Sequence, residues 1–99
     1  MSQVLSSGPN GFSPTFAYGY VDKTISAGGG ELTNFTITVT DISATASIFL
    51  QTSVQGGFLS ILTPPYVWTI TANTITVACS ISNGTAGDLD ARIYYEVLQ

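Results

Sequence analysis

The stretch NFTITVT, from Asn34 to Thr40, alternates strictly between apolar and polar residues. Phe35, Ile37 and Val39 occupy every second position, with threonine between and after them. Because successive side chains of a β-strand point to opposite faces, this pattern predicts a strand with one apolar face and one threonine face. The β-branched residues disfavour a helix, because there they crowd the preceding turn.

Similar strand patterns recur on both sides of this stretch, and turn-forming residues separate them. Ala72-Asn73 predicts a hairpin, Asn83-Gly84 a second one, and Asp22-Lys23 a further turn. Pro64-Pro65 predicts a break between two strands, because proline donates no hydrogen bond to a sheet. Including the central stretch, the candidate strands are residues 15–20, 34–40, 46–54, 58–62, 66–71, 74–81 and 91–98.

The fold class follows from these seven segments and from the lack of any helical period. Seven to eight short strands with closely spaced turns predict an all-β protein with a single antiparallel β-sandwich, either jelly-roll or Ig-like. Residues 1–14 contain clustered glycine and proline, with few apolar positions, and predict an N-terminal arm or loop. Residues 15–99 are the predicted sandwich domain.

The charge content limits the classes of partner. Only 8% of the 99 residues are charged, against roughly 25% in a typical domain, and the formal net charge is −4. Lys23 and Arg92, the two basic residues, cannot neutralise a row of phosphates, so neither nucleic acid nor an anionic membrane surface is an expected partner. The first residues lack the basic and apolar regions of a secretory signal, so we expect the chain to remain where it is made.

The sequence contains no recognisable catalytic or cofactor-binding constellation. There is no histidine, and the one cysteine, Cys79, lies in an alternating apolar run typical of a buried, unreactive thiol. Asp88 and Asp90 could begin a calcium site or a carboxylate pair, but a solvated turn, with Asp90 contacting Arg92, is the expectation. We therefore expect no enzyme activity, no metal and no cofactor.

Aromatic residues at alternate positions leave two interpretations open. They are typical of the inner face of a sandwich, but exposed rings could instead stack on sugars. Tyr66, Trp68 and Ile70 are predicted to share one face of a strand, and Tyr94 and Tyr95 must point to opposite faces. Under the carbohydrate-binding interpretation, the glycan contacts are Tyr66, Trp68 and Tyr94.

The runs VWTITANTITV, from Val67 to Val77, and DARIYYEVL, from Asp90 to Leu98, carry a family resemblance. In the residue pattern of its strands, over about half of the chain, the sequence resembles small β-sandwich structural proteins of tailed bacteriophages. These include capsid decoration (cement) proteins and head or tail fibre modules. The resemblance implies a non-enzymatic virion protein, made in the host cytoplasm, that forms a homo-oligomer, with a trimer favoured. It also implies that the protein binds the major capsid protein or another virion protein.

A surplus of apolar residues on so small a fold is typical of an interface. Under the resemblance, the N-terminal arm contacts the capsid or a neighbouring subunit through Val4, Leu5, Pro9 and Phe12. The alternative is a carbohydrate-binding or adhesive module without a shell partner.

Overall fold

The computed structural model describes residues 14–55 and 59–99, and six β-strands account for most of them. No helix occurs in this part of the chain, so the all-β prediction is confirmed. The predicted count of seven to eight strands is wrong. The strands are β1 (Thr15–Ile25), β2 (Gly30–Thr38), β3 (Ser47–Gln55), β4 (Ser60–Thr71), β5 (Thr74–Asn83) and β6 (Leu89–Leu98).

The count is lower because two predicted strands are one. Strand β4 passes through Pro64 and Pro65 without ending. It lies at the edge of its sheet, where a missing hydrogen-bond donor is tolerated. The pairing of β4 with β5 is irregular on both sides of the prolines, with register shifts between Ile61 and Thr63 and between Thr63 and Tyr66.

The strands form two antiparallel sheets of three strands each, in the orders β1-β6-β3 and β2-β5-β4. The first strand therefore pairs with the last, and the second with the fifth. The predicted hairpin at Ala72-Asn73 is confirmed, and both residues have positive φ, as a tight two-residue turn requires. The predicted hairpin at Asn83-Gly84 is wrong, because β5 and β6 belong to different sheets. The predicted turn at Asp22-Lys23 is also wrong, because β1 continues to Ile25.

One buried apolar cluster contains side chains from both sheets. The predicted inward positions of the central stretch, Phe35, Ile37 and Val39, are all buried, as are Ile93 and Val97 of β6. Each such side chain stabilises the fold by roughly 1.5–3 kcal/mol relative to an exposed one. We call the face of each sheet that points away from this cluster its outer face.

At one end of the molecule, two connections between the sheets are bonded to each other. The amides of Gly28 and Gly29 donate to the carbonyls of Thr85 and Asn83, at 2.9 and 2.7 Å. Both glycines have positive φ, 74° and 101°, a conformation that other residues rarely adopt. Asn83 itself is fully buried. Asn83 therefore holds the two connections together at this end of the fold.

Candidate binding surfaces

Strand β4 exposes large apolar side chains along the edge of its sheet. Leu62 is 70% exposed and Trp68 is 68% exposed, and Tyr66 and Ile61 are also exposed. Ile61 and Leu62 are consecutive and point to opposite faces of β4, with Ile61 paired to the buried Ile81. We call these four residues, which lie along β4 on both of its faces, the β4 apolar edge. None of the twelve residues of β4 is charged. Free edge strands usually carry charges that prevent association, so an uncharged, apolar edge is typical of a surface that is covered.

The other edge strands differ from β4. Strand β1 carries Asp22 and Lys23, and β2 carries Glu31. Strand β3 has no charged residue, but among its described side chains Phe49 is the only large apolar one that is exposed. The β4 apolar edge is therefore the most apolar edge in the described part of the molecule.

A second surface of exposed rings lies on the outer face of the β1-β6-β3 sheet. Strand register places these side chains in cross-strand rows: Tyr18, Glu96 and Phe49 form one row, and Tyr20, Tyr94 and Gln51 form the next. Tyr18 is 79% exposed and Phe49 is 60% exposed. We call the set Tyr18, Tyr20, Phe49 and Tyr94 the ring face.

The polar groups of this face are held in fixed positions. Thr15 Oγ1 donates a 2.6 Å hydrogen bond to Oε2 of Glu96. Arg92 donates from Nε and Nη2 to the two carboxylate oxygens of Asp22, at 2.8 and 3.0 Å, and its guanidinium lies 4.0 Å from the centre of the Tyr20 ring. The hydrogen bond from Arg92 lowers the pKa of Asp22 below its ordinary value.

A depression of about 270 Å³ lies between β3 and β6 on the ring face. Phe49, Gln51, Tyr94 and Glu96 surround it, and Leu50 and Tyr95 also line it. Leu50 and Tyr95 pair across the two strands and pack against the core. Their backbone therefore forms the floor, whereas rings and polar groups alternate around the rim.

The predicted glycan contacts Tyr66, Trp68 and Tyr94 are all exposed, but they lie on different sheets. Tyr66 and Trp68 belong to the β4 apolar edge, whereas Tyr94 belongs to the central strand of the other sheet. Phe49, Gln51 and Glu96 were not among the predicted contacts. One signal in the sequence could have indicated that Phe49 is exposed. Phe49 lies between Ile48 and Leu50, which pack against the core, so its side chain must point to the opposite face of β3.

The remaining predicted residues have different outcomes. Val4, Leu5, Pro9 and Phe12 lie outside the described residues. Asp88 accepts a hydrogen bond from the Ala27 amide, and Asp90 accepts one from the Thr24 hydroxyl. The suggested contact between Asp90 and Arg92 is replaced by the pair of Arg92 with Asp22.

Within residues 14–55 and 59–99, no group of three or more acidic, cysteine or histidine side chains could hold a metal ion. The same residues include no helix that is long and apolar enough to cross a membrane.

Cys79 is buried, as the sequence predicts, and its thiol donates to the carbonyl of Leu32 at 3.4 Å. Burial, and secondarily the charge of Glu31, raises the pKa of this thiol. A raised pKa reduces the thiolate fraction and therefore the reactivity.

Compared with protein-family models, curated proteins and solved structures, this chain has no match.

Proposed function

We propose that this chain is a non-enzymatic structural protein of a virus particle, a capsid decoration protein that binds an assembled phage head as a homotrimer. The observation that supports this proposal best is the β4 apolar edge, four exposed large apolar side chains on an uncharged strand. Such a surface is costly to leave in water, at roughly 25 cal/mol for each Å² of apolar area. Contact with another protein chain removes that cost.

In this proposal, the β4 apolar edge is the interface between subunits of the trimer. Pro64 and Pro65 carry no backbone N–H and interrupt the row of donors along β4, so the contact uses side chains rather than an added strand. Rings such as Tyr66 and Trp68 are enriched at the centres of protein interfaces, and charged residues are depleted there.

The fold in this proposal is a six-stranded β-sandwich with jelly-roll connectivity. Two observations support it: the core contains residues of both sheets, and the strands pair first with last and second with second-last. That nested pairing is the jelly-roll pattern with two strands fewer than usual. Jelly rolls serve many functions, so the fold supports the virion proposal only by analogy.

Residues 1–14 supply the second contact of the proposal, to the major capsid protein or another virion protein. The test is co-sedimentation of the full chain with heads of the virus that encodes it. We expect the double variant Leu5→Ser/Phe12→Ser to lose binding to the heads while its melting temperature stays unchanged. The matched control, Gln3→Ala/Ser7→Ala, changes two polar residues of the same segment and should bind as the wild type does. Equal binding by both variants would contradict the arm contact, and no binding by the wild type would contradict the decoration role.

A further inference from the structure

Glu96 lies between two exposed rings on the ring face. Register pairs it with Tyr18 on one side and with Phe49 on the other, so that a ring, a carboxylate and a ring form one row across three strands. Neighbouring strands are about 4.8 Å apart, so the backbone positions of Tyr18 and Phe49 are separated by about twice that distance. This separation is comparable to the length of two linked pyranose rings.

The next cross-strand row, which contains Tyr94 and Gln51, also places a ring beside a polar side chain. Gln51 is paired with Tyr94, and these two residues lie beside Phe49 and Glu96 around the depression of about 270 Å³. Around the depression, each ring therefore faces a polar side chain across β3 and β6, and on its other side the Tyr94 ring contacts Tyr20 edge to face, with the ring centres 5.9 Å apart. The side-chain amide of Gln51 makes no hydrogen bond to any other described residue. It offers both a donor and an acceptor to solvent or to a ligand.

Glu96 decides which kind of ligand this surface accepts. Thr15 holds one carboxylate oxygen, which fixes the orientation of the group and leaves the other oxygen to a ligand. An apolar protein surface laid across the row would bury this carboxylate without enough donors, which is strongly unfavourable. A ligand that has apolar C–H faces and many hydroxyl donors satisfies both the rings and the carboxylate. Sugars have both features.

We propose that the ring face is a binding site for a neutral oligosaccharide. One sugar ring occupies the depression against Phe49 and Tyr94, with its hydroxyls bonded to Glu96 and Gln51. A second ring lies over Tyr18. This site is independent of the virion proposal, because it uses the opposite sheet from the β4 apolar edge and would serve equally in a free protein.

The charges on this face determine that the sugar is neutral. Arg92 is the one cation of the face in the described part of the chain, and both of its bonded nitrogens are directed at Asp22. Glu96 and Asp90 carry negative charge on the same strand. An acidic glycan would approach two carboxylates without gaining a free cation, so it should bind more weakly than its neutral counterpart.

The test is titration of the full-length chain with maltotetraose, cellotetraose, mannotetraose, chitotetraose and, as the acidic comparison, sialyllactose. Binding is followed by backbone amide NMR shifts. We expect at least one neutral tetrasaccharide to shift the amides of β3 and β6 around Phe49 and Glu96. Phe49→Ala and Glu96→Ala should each weaken that binding roughly tenfold or more, as loss of a ring contact or a charge-assisted hydrogen bond predicts.

Trp68→Ala is the matched control, because it removes an exposed ring from the other sheet and should leave sugar affinity unchanged. The melting temperature of each variant verifies its fold. Three results would overturn the proposal: no neutral sugar binds at millimolar concentration, binding survives both Phe49→Ala and Glu96→Ala, or only sialyllactose binds. Trp68 also belongs to the proposed subunit interface. If Trp68→Ala breaks the trimer but still binds the sugar, the trimer and the sugar site are shown to be separate, and either proposal can fail without the other.

Discussion

Asn83 is the only fully buried polar residue in the described part of the chain, and every polar atom of its side chain is used. Its Nδ2 donates to the carbonyls of Ile25 and Gly87, both at 2.9 Å. Its Oδ1 accepts hydrogen bonds from the amide and the hydroxyl of Thr85. The side chain of Asn83, the last residue of β5, thus bonds to the end of β1 and to the connection between β5 and β6. Strand β5 belongs to one sheet, and β1 and β6 belong to the other.

We expect Asn83→Ala to lower the free energy of unfolding by about 2–4 kcal/mol, because buried carbonyls lose their donors. Urea denaturation measures this change. Asn34→Ala is the control, because Asn34 is exposed on β2 and, among the described residues, its side-chain amide donates only to Oγ1 of the neighbouring Thr33, at 3.2 Å. A change within about 0.5 kcal/mol is expected there. Equal effects of the two substitutions would contradict the structural role of Asn83.

The pair of Asp22 and Arg92 predicts a pH dependence of stability. Its hydrogen bond lowers the pKa of Asp22 below the ordinary value of 3.8. A carboxyl group whose pKa is lowered on folding stabilises the protein above its unfolded pKa, and this contribution is lost as the pH falls through the folded pKa. Melting temperatures of the wild type and Asp22→Asn should therefore differ at neutral pH and converge as the pH falls below 3.8. The pair is exposed, so the difference should be small and should decrease in high salt. A difference that is constant across this pH range would contradict the assignment.

At the scale of elements, local alternation predicted β5 and β6 well, because each has one face on the core and one face outside. It predicted β2 only in part, because that strand begins at Gly30 and not at Asn34. Strand β4 shows where that reasoning fails. Tyr66, Trp68 and Ile70 were predicted to share a face, but a register shift between Val67 and Thr69 interrupts the alternation. Ile70 consequently pairs with Ile75 and is half-buried, whereas Trp68 is exposed. A shift of this kind depends on the partner strand, so a single sequence does not reveal it.

The prolines of β4 provide a prediction at the same scale. Pro64→Thr/Pro65→Thr restores the backbone N–H groups that are missing from this uncharged edge strand, and such edges recruit further strands. We expect the variant to form higher aggregates at concentrations where the wild type has a defined mass, as measured by light scattering. Thr69→Val is the control, because it changes an exposed residue of β4 without adding a donor. Unchanged mass for the proline variant would indicate that the edge is protected by another feature.

At the scale of the whole molecule, the two sheets present different chemistry to their surroundings. The ring face mixes aromatic side chains with a fixed carboxylate, whereas the β4 apolar edge contains no charge at all. The sequence predicted that aromatic residues were either core or exposed, but it could not distinguish these alternatives. The outcome depends on strand order, which brings Tyr18 and Phe49, 31 residues apart in the chain, to either side of Glu96. Non-local pairing of this kind is not encoded in any local pattern.

The central claim, that the chain acts by assembling through the β4 apolar edge, is tested most directly by mass in solution. Light scattering on the 99-residue chain at low micromolar concentration should give three times the chain mass of 10.4 kDa. The variant Leu62→Ser/Trp68→Ser should have the mass of one chain with an unchanged fold, whereas Tyr18→Ser, on the opposite sheet, should remain trimeric. A wild-type protein that has the mass of a single chain, or a Leu62→Ser/Trp68→Ser variant that remains a trimer, would contradict the claim.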